Sequence, residues 1–183
     1  MAKYSLVGLS GSLRAEATNT KLIREAARLF EAESFSLADL SLPLYNGDDE
    51  AASGIPPAVQ RLADQIAAAD AVLISTPEYN KGPSGVLKNA LDWISRTKKP
   101  VWSGKPVAVM SAAAGRAGGE RAQMVLRGFM VPFRPRILQG PEIHLADSSN
   151  QFDSEGRLTG EIYVRELSAL MAALRDEITR QDC

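Results

Sequence analysis

The sequence has few of the residues that build disulfide-bonded or metal-binding proteins. Its 183 residues include 1 cysteine, Cys183, and 1 histidine, His144. A single thiol can form neither an intramolecular disulfide framework nor a cysteine-based structural metal site. We therefore expect no metal site, and a reducing cytoplasm is the predicted location.

An excess of charge and a long apolar run are also absent. Lysine and arginine number 21 against 22 acidic residues, which gives a net charge of -1. This balance argues against nucleic acid as a partner and indicates a small molecule instead. No apolar run approaches the roughly 18 residues of a membrane span, so we predict no membrane insertion. The start, MAKYSLVGLSGSLR, is more typical of a strand and a loop than of a signal peptide.

Short apolar runs alternate with helical patterns along the whole chain. We predict one domain over residues 1–183, because 45% hydrophobic content at this length can fill one core. The alternation indicates βαβ units and a parallel sheet between two helical layers, an α/β three-layer sandwich. The predicted strands are residues 4–10, 35–40, 71–75 and 106–112, and the predicted helices are residues 19–33, 56–69, 84–96, 120–130 and 161–180.

The fifth strand is poorly marked. Pro135, Gly140 and Pro141 interrupt the segment that should contain it, and proline is rare inside a sheet. Two positions stay open, RILQG (136–140) and PEIHL (141–145). Residues 148–160 are predicted to form a surface excursion.

The topology fixes the loops that should contact a ligand. In a five-stranded sheet of order 2-1-3-4-5, ligands bind at the carboxyl ends of the strands, between strands one and three. The loop after strand one reads SGSLRAEATN, with hydroxyls at Ser10, Ser12 and Thr18, a cation at Arg14, and Asn19 where a helix begins. A helix N-terminus with such donors suits a phosphate. The alternative is an ordinary capping loop with Thr18 or Asn19 as the N-cap.

The loop after strand three reads PEYNKGPSG. A planar ligand whose phosphate occupies the first loop would extend its ring toward backbone amides and Asn80 here, with Tyr79 packed nearby. FMN is such a ligand. Pro77 shapes the exit from the strand, and Ser84 is the expected N-cap of the following helix.

The loop after strand four, SAAAGRAGGE, begins at Ser111 and contains three glycines, Gly115, Gly118 and Gly119. Glycines would let the backbone approach a ligand closely. A flexible connection explains them as well.

Two motifs together resemble one family. GSLRAEATN and PEYNKGPSGVLKNALDWISR are similar to the NADPH-dependent FMN reductase family of flavodoxin-like proteins, and the resemblance continues to FDSEGRLT. It implies a flavodoxin-like fold and a reductase that passes two electrons from NADPH or NADH through bound FMN to small-molecule acceptors such as quinones, chromate, ferric complexes or azo dyes. It also implies a homodimer, possibly a tetramer, with no catalytic side chain because the flavin carries the hydride.

The resemblance also assigns residues to the cofactor. The phosphate end would contact Ser12, Leu13, Arg14 and Asn19, the ring would lie among Pro77, Glu78, Tyr79 and Asn80, and Ser111 and Gly115 would lie beside it. The chain departs from the family at Ala17, where many members have serine, so a phosphate donor is missing and Thr18 would have to compensate.

Two other functions stay as alternatives. A flavodoxin-type electron carrier would share the fold and FMN, although a docking carrier usually has a strongly acidic surface. A serine hydrolase would need His144 beside a nucleophile, but the sequence has no nucleophile-elbow motif. His144 is therefore predicted to be a structural strand residue.

Overall fold

A parallel β-sheet forms the middle layer of the computed structural model, which describes residues 3–180; Cys183 lies outside the described residues. The strands are β1 (Ser5–Ser10), β2 (Ser34–Leu37), β3 (Ala71–Thr76), β4 (Pro106–Ala112), β5 (Arg136–Ile137) and β6 (Ile143–Leu145). Their order is β2-β1-β3-β4-β5, and β6 also pairs with β4. This confirms the predicted 2-1-3-4-5 order and the flavodoxin-like fold.

The fifth position of the sheet is shared by two short strands. β5 pairs with Pro106 and Val107 at the start of β4, and β6 pairs with residues 110–112 at its end. Both segments that the sequence left open are therefore strands. Gly140 and Pro141 lie between them, which explains why neither segment continues along the whole of β4.

Helices cover both faces of the sheet. They are α1 (Thr18–Phe30), α2 (Gly47–Ser53), α3 (Pro57–Ala68), α4 (Gly85–Ile94), α5 (Glu120–Met130) and α6 (Glu161–Thr179). The prediction for α1 extended to Glu33, but Glu31 adopts φ 55 and ends the helix at Phe30. The sequence analysis missed α2 entirely.

The core has one cluster on each face of the sheet. One cluster joins the strands to α3, α4 and α5, and the other joins them to α1 and α6. Every residue of β3 and of β4 is buried. This agrees with the continuously apolar sequences of both strands, which a sheet covered on both faces requires.

Residues 148–160 cross the surface as predicted, but contacts at both ends of the segment hold them to the fold. Ser148 bonds to the hydroxyl of Thr18 at 3.0 Å, and Leu158 is buried in the core cluster that includes α1 and α6. Arg157 lies 3.6 Å from the buried carboxylate of Glu25 on α1. Within residues 3–180, no helix has both the length and the apolar composition needed to cross a membrane.

Candidate functional site

The three loops singled out in the sequence meet at one edge of the sheet. Ser10 at the end of β1 lies opposite Ser75 on β3, and Thr76 lies opposite Ser111 on β4. The carboxyl ends of β1, β3 and β4 are therefore adjacent. The loops that leave them, residues 11–17, 77–84 and 113–119, border one surface.

The first loop ends at an uncapped helix N-terminus. The N-cap of α1 is Ala17, which has no side chain that can accept a hydrogen bond. Neither Thr18 nor Asn19 is the N-cap, so the alternative of an ordinary capping loop, with one of these residues as the cap, is wrong. The backbone N–H groups of Thr18, Asn19 and Thr20 have no acceptor among residues 3–180. Donors left free at a helix start favour an anion.

Arg14 adds a cation to this N-terminus. Its guanidinium is exposed and has neither an ion pair nor a hydrogen bond with another described residue. Its neighbour Leu13 is 55% exposed. By contrast, Lys21 lies 2.9 Å from Glu16 and lowers the pKa of that carboxyl group. Arg14 is therefore the cation of this loop that is available to a ligand.

The hydroxyl groups of the first loop mostly bond within the loop. Ser10 is buried; its hydroxyl donates to the Ser12 carbonyl at 3.3 Å and accepts from the Thr20 hydroxyl at 2.8 Å. Within the described part of the chain, the Ser12 hydroxyl accepts only a long 3.5 Å contact from the Arg14 amide. Thr18 lies 3.0 Å from the hydroxyl of Ser148. Of these side chains, Ser12 is the one least committed to the protein.

Asn19 joins α1 to the sheet. Its side chain is buried; Oδ1 accepts from the Ser75 hydroxyl at 2.7 Å and from the Ala112 amide at 3.0 Å. Its Nδ2 donates to the Ala112 carbonyl at 3.0 Å. These bonds connect the helix start to β3 and β4 at once. They fix where the free N–H groups of α1 point.

The loop after β3 contains a tight turn that the sequence analysis did not recognise. Tyr79 and Gly82 exchange backbone hydrogen bonds of 2.9 and 3.1 Å. Between them Asn80 has φ 52 and Lys81 has φ 66. Two successive residues with positive φ form a type I′ turn, and asparagine is among the residues that tolerate this conformation best. The dipeptide Asn80–Lys81, directly before Gly82, was the sequence signal from which this turn could have been predicted.

The first two loops are packed directly against each other. A side chain at Gly11 would lie 2.9 Å from the Ser84 hydroxyl and 3.1 Å from Cδ of Pro77, so only glycine fits there without a shift. The Gly11 amide also donates to the Ser75 carbonyl at 2.8 Å. Ser84 accepts from the Leu87 amide, which confirms its prediction as the N-cap of α4. The buried Pro77 thus forms a rigid junction.

The Glu78 side chain turns toward α5. Its carboxylate accepts a hydrogen bond of 3.2 Å from the amide of Ala122, in the first turn of that helix. A carboxylate at this position is stabilised by the helix dipole. The contact orders Glu78, which lies between the buried Pro77 and Tyr79. Tyr79 itself is 53% exposed.

The glycines after β4 serve close packing within the protein. Gly118 has φ 59, and a side chain there would lie 2.3 Å from the carbonyl carbon of His144. Gly119 has φ 93, and a side chain there would lie 2.7 Å from Cβ of Ser111. Neither position therefore supports the interpretation that these two glycines make room for a ligand. Gly115 is different, because it is exposed and nothing lies within 4 Å of a side chain built on it.

The hydroxyl of Ser111 is also used internally. It donates to the Gly118 carbonyl at 2.6 Å and accepts from Nε2 of Gln123 at 2.9 Å. His144 lies opposite Ser111 on β6 and bonds to no serine in the described part of the chain. His144 is thus a strand residue, as predicted. No group of three or more histidine, cysteine or acidic side chains that could hold a metal occurs in residues 3–180.

The motif LKNALDW holds a neighbouring segment against α4. The side chains of Asn89 and Trp93 both donate to the backbone carbonyl of Pro43, at 2.9 and 2.7 Å, and Oδ1 of Asn89 accepts from the Tyr45 amide at 2.8 Å. The Tyr45 and Trp93 rings meet edge to face at 5.0 Å. Trp93 is buried, as expected for helix packing. These contacts attach residues 43–45 to the helix that starts at the site.

Comparison with known proteins agrees with this arrangement. Residues 4–149 match the family of NADPH-dependent FMN reductases. The chain is 45% identical over 176 residues to an NAD(P)H-dependent FMN reductase from Pseudomonas aeruginosa, covering 93% of this chain and 95% of that protein. It is 37% identical over 165 residues to a quinone reductase from Escherichia coli, covering 87% and 85%.

A solved structure is similar over almost its whole length. It is FerB, a flavoenzyme NAD(P)H:(acceptor) oxidoreductase from Paracoccus denitrificans, with a TM-score of 0.86 and 33% identity over 97% of this chain and 98% of that one. These matches confirm the family indicated by the two sequence motifs. The chain belongs to the NADPH-dependent FMN reductase family.

Proposed function

We propose that this protein is an FMN-dependent NAD(P)H oxidoreductase that transfers two electrons to quinones. The observation that supports it most is the N-terminus of α1, which has no side-chain cap, with Arg14 beside it, which forms no ion pair within residues 3–180, in a chain that matches FMN reductases over residues 4–149. Similarity to a quinone reductase supports the acceptor class. Chromate and ferric complexes stay predictions from the family resemblance.

The donors of the first loop fit a phosphate monoester. In this proposal Arg14, the Ser12 hydroxyl and the N–H groups of Thr18 and Thr20 bind the phosphate, and Leu13 covers the adjacent part of the ligand. Among the described residues these groups have no partner, or in the case of Ser12 only one long contact, and a dianion would supply the acceptors that they lack. Ser10 and Asn19 act differently, since their buried side chains hold the loop and the helix start in position.

The turn after β3 is proposed to border the flavin ring. Its Tyr79–Gly82 hydrogen bonds make it rigid, and the exposed Tyr79 and Asn80 side chains are available to a ring and its polar edge. Pro77 and Glu78 would contribute backbone atoms, because the Glu78 carboxylate is already bonded to α5. Gly115, on the loop after β4, has open space beside it that the ring could occupy. The buried Ser111 instead stabilises that loop through its hydrogen bond to the Gly118 carbonyl.

When bound, the flavin supplies the redox chemistry, taking a hydride from the nicotinamide and returning two electrons to the acceptor. The chain's own contribution is positioning, because the three packed loops hold the ligand-binding groups at fixed places. No acid or base needs to be supplied by a side chain. Lys81 is a candidate for contact with the nicotinamide nucleotide, since it lies in the rigid turn and forms no ion pair within residues 3–180. Arg96 is less suited, because it is paired with Glu50 at 2.9 Å.

A homodimer, possibly a tetramer, is part of the proposal. Leu44 is 81% exposed and Met124 is 66% exposed, and apolar side chains of this size commonly become buried in subunit contacts. Sedimentation velocity at micromolar concentration tests this directly. A cytoplasmic location and a single domain over residues 1–183 likewise stay predictions.

Flavin identification and steady-state kinetics test the proposed reaction. Chromatography of the heat-released flavin should give FMN, and the holoprotein should oxidise NADPH or NADH directly with benzoquinone as acceptor. If one face of the flavin serves NAD(P)H and the quinone in turn, the kinetics are ping-pong. Double-reciprocal plots of the rate at several quinone concentrations should then give parallel lines. Recovery of mainly FAD, or intersecting lines, would contradict the proposal. A holoprotein that accepts electrons only through a separate reductase would instead be a flavodoxin-type carrier.

A further inference from the structure

A fourth segment borders the edge of the sheet where the three loops meet. It is residues 146–150, which follow β6, and the end of β6 pairs with the end of β4. The Ser148 amide donates to the carbonyl of Ala113, on the loop after β4, at 3.2 Å. The Asn150 side chain donates to the Asp147 carboxylate at 3.1 Å and orders the turn. We call this segment the β6 loop.

The β6 loop brings the Ser148 hydroxyl against the first residue of α1. Ser148 is 4% exposed, and its hydroxyl lies 3.0 Å from the hydroxyl of Thr18. Within residues 3–180, neither hydroxyl bonds to any other group. Thr18 is half-buried and begins the helix whose first N–H groups have no acceptor in the described protein. The pair of hydroxyls therefore adjoins the proposed phosphate site.

The burial of the two residues decides which hydroxyl donates. Each hydroxyl has one proton to donate and can also accept. If Thr18 donated, the proton of the buried Ser148 would have no acceptor among the described residues, and buried donors without a partner are costly. Donation by Ser148 satisfies its proton. It also leaves the Thr18 proton available to an acceptor outside the described protein.

We infer that Ser148 is a positioning residue, which orients the Thr18 hydroxyl as a donor to the FMN phosphate. The inference rests on the proposed flavin site and adds two side chains to the groups assigned to the phosphate above. The hydrogen bond from Ser148 holds the Thr18 oxygen in place and strengthens it as a donor, because hydrogen bonds in a chain polarise one another. The N-cap, Ala17, has no hydroxyl, so Thr18 is the first residue of this helix start that can supply one.

Fluorescence titration of apoprotein variants with FMN and with riboflavin tests the inference. Thr18→Val keeps the shape of the side chain and removes its hydroxyl, so FMN should bind roughly tenfold more weakly, as for a lost hydrogen bond to a charged group. Ser148→Ala keeps the Thr18 hydroxyl without its orienting partner and should weaken FMN binding about threefold. Riboflavin has no phosphate, so its affinity should change less than about 1.5-fold in both variants.

A double variant separates the orientation of Thr18 from general support of the loop. If Ser148 acts through the Thr18 hydroxyl, adding Ser148→Ala to Thr18→Val should change FMN affinity by less than about 1.5-fold. A merely structural role would weaken FMN binding by the same factor in both backgrounds. Ser168→Ala is the matched control, because the exposed Ser168 hydroxyl bonds within α6, and this variant should bind both flavins like the wild type.

Three results would overturn the inference. They are an unchanged FMN affinity in Ser148→Ala, equal losses of FMN and riboflavin affinity, or the same loss from Ser148→Ala with and without the Thr18 hydroxyl. The wild-type apoprotein distinguishes these results from failure of the proposed function. If it prefers FMN to riboflavin and Arg14→Ala lowers that preference, the phosphate site is supported and only the role of Ser148 is wrong. If it shows no preference for FMN, the proposed flavin site itself is contradicted.

Discussion

Asn80 offers a sharp test because it has two separable roles. Its φ of 52 places it in the left-handed region, beside Lys81 at φ 66. That conformation destabilises the fold by about 1–2 kcal/mol at an ordinary residue, and by less at asparagine. Its side chain is also proposed to contact the flavin ring. Asn80→Ala removes the amide and strains the turn, whereas Asn80→Gly removes the amide and relieves the strain.

We expect the two variants to differ in stability and to agree in flavin binding. Asn80→Ala should lower the free energy of unfolding by about 1 kcal/mol, while Asn80→Gly should stay within about 0.5 kcal/mol of the wild type. Both should weaken FMN and riboflavin alike by about two- to tenfold, since a net hydrogen bond contributes about 0.5–1.5 kcal/mol. Urea unfolding and fluorescence titration of the apoprotein measure these effects.

Lys81→Gly is the matched control. It changes the neighbouring position of the same turn and leaves the Asn80 amide in place, so flavin affinity should stay within about twofold of the wild type. Wild-type flavin affinity in Asn80→Gly, with a loss only in Asn80→Ala, would refute the ring contact. Asn80 would then serve the turn alone.

Three further predictions concern stability. Asn19→Ala leaves three buried partner groups on Ser75 and Ala112 unpaired, and should lower the free energy of unfolding by about 3 kcal/mol in urea; a loss below about 1 kcal/mol would contradict its bridging role. Gly118→Ala should cost more than about 2 kcal/mol because of its φ and the contact with His144, whereas Gly115→Ala should be neutral within about 0.5 kcal/mol; equal costs would refute the packing argument. The hydrogen bond from Arg96 lowers the pKa of Glu50, so its contribution to stability is present above the ordinary value of 4.5 and is lost as the pH falls. The difference in Tm between wild type and Arg96→Ala should therefore be visible at about pH 7 and vanish near pH 3; a difference that persists in acid would contradict it.

The sequence predicted the sheet order because apolar strands and amphipathic helices alternate clearly. The fifth strand was less certain for a physical reason. Pro135 and Pro141 interrupt the pattern, and pairing with β4 on each side of the interruption is decided by contacts that are distant in sequence. Neither candidate segment could be preferred from local residues.

The hydrogen-bond partners of Asn19, within the site, could not be predicted from local residues either. An asparagine at a helix start can cap its own helix or bond to neighbouring strands. The free groups of Ser75 and Ala112 decide the outcome, and their proximity exists only in the folded chain. The direction of the Glu78 carboxylate could not be predicted from the local sequence either, because its partner on α5 is 44 residues away.

Other features had local signals. The sequence NGDDE contains an asparagine whose side chain accepts from the Asp48 amide, followed by acidic residues in the first turn of α2. This is a recognisable helix start. The Asn80–Lys81 turn was likewise marked by an asparagine two residues before a glycine. The LKNALDW motif predicted a packed helix, but nothing local identified Pro43 as the group that it binds.

The central claim, that the N-terminus of α1 and Arg14 bind the phosphate of FMN, is tested most directly by titrating the Arg14→Ala apoprotein with FMN and with riboflavin at fixed ionic strength. A charge-assisted contact predicts that FMN binds roughly ten- to a hundredfold more weakly, while riboflavin, which has no phosphate, changes less than about twofold. Lys21→Ala is the control, because Lys21 is nearby but paired with Glu16. Equal losses of FMN and riboflavin affinity in Arg14→Ala would contradict the claim and assign the arginine to the fold of the loop.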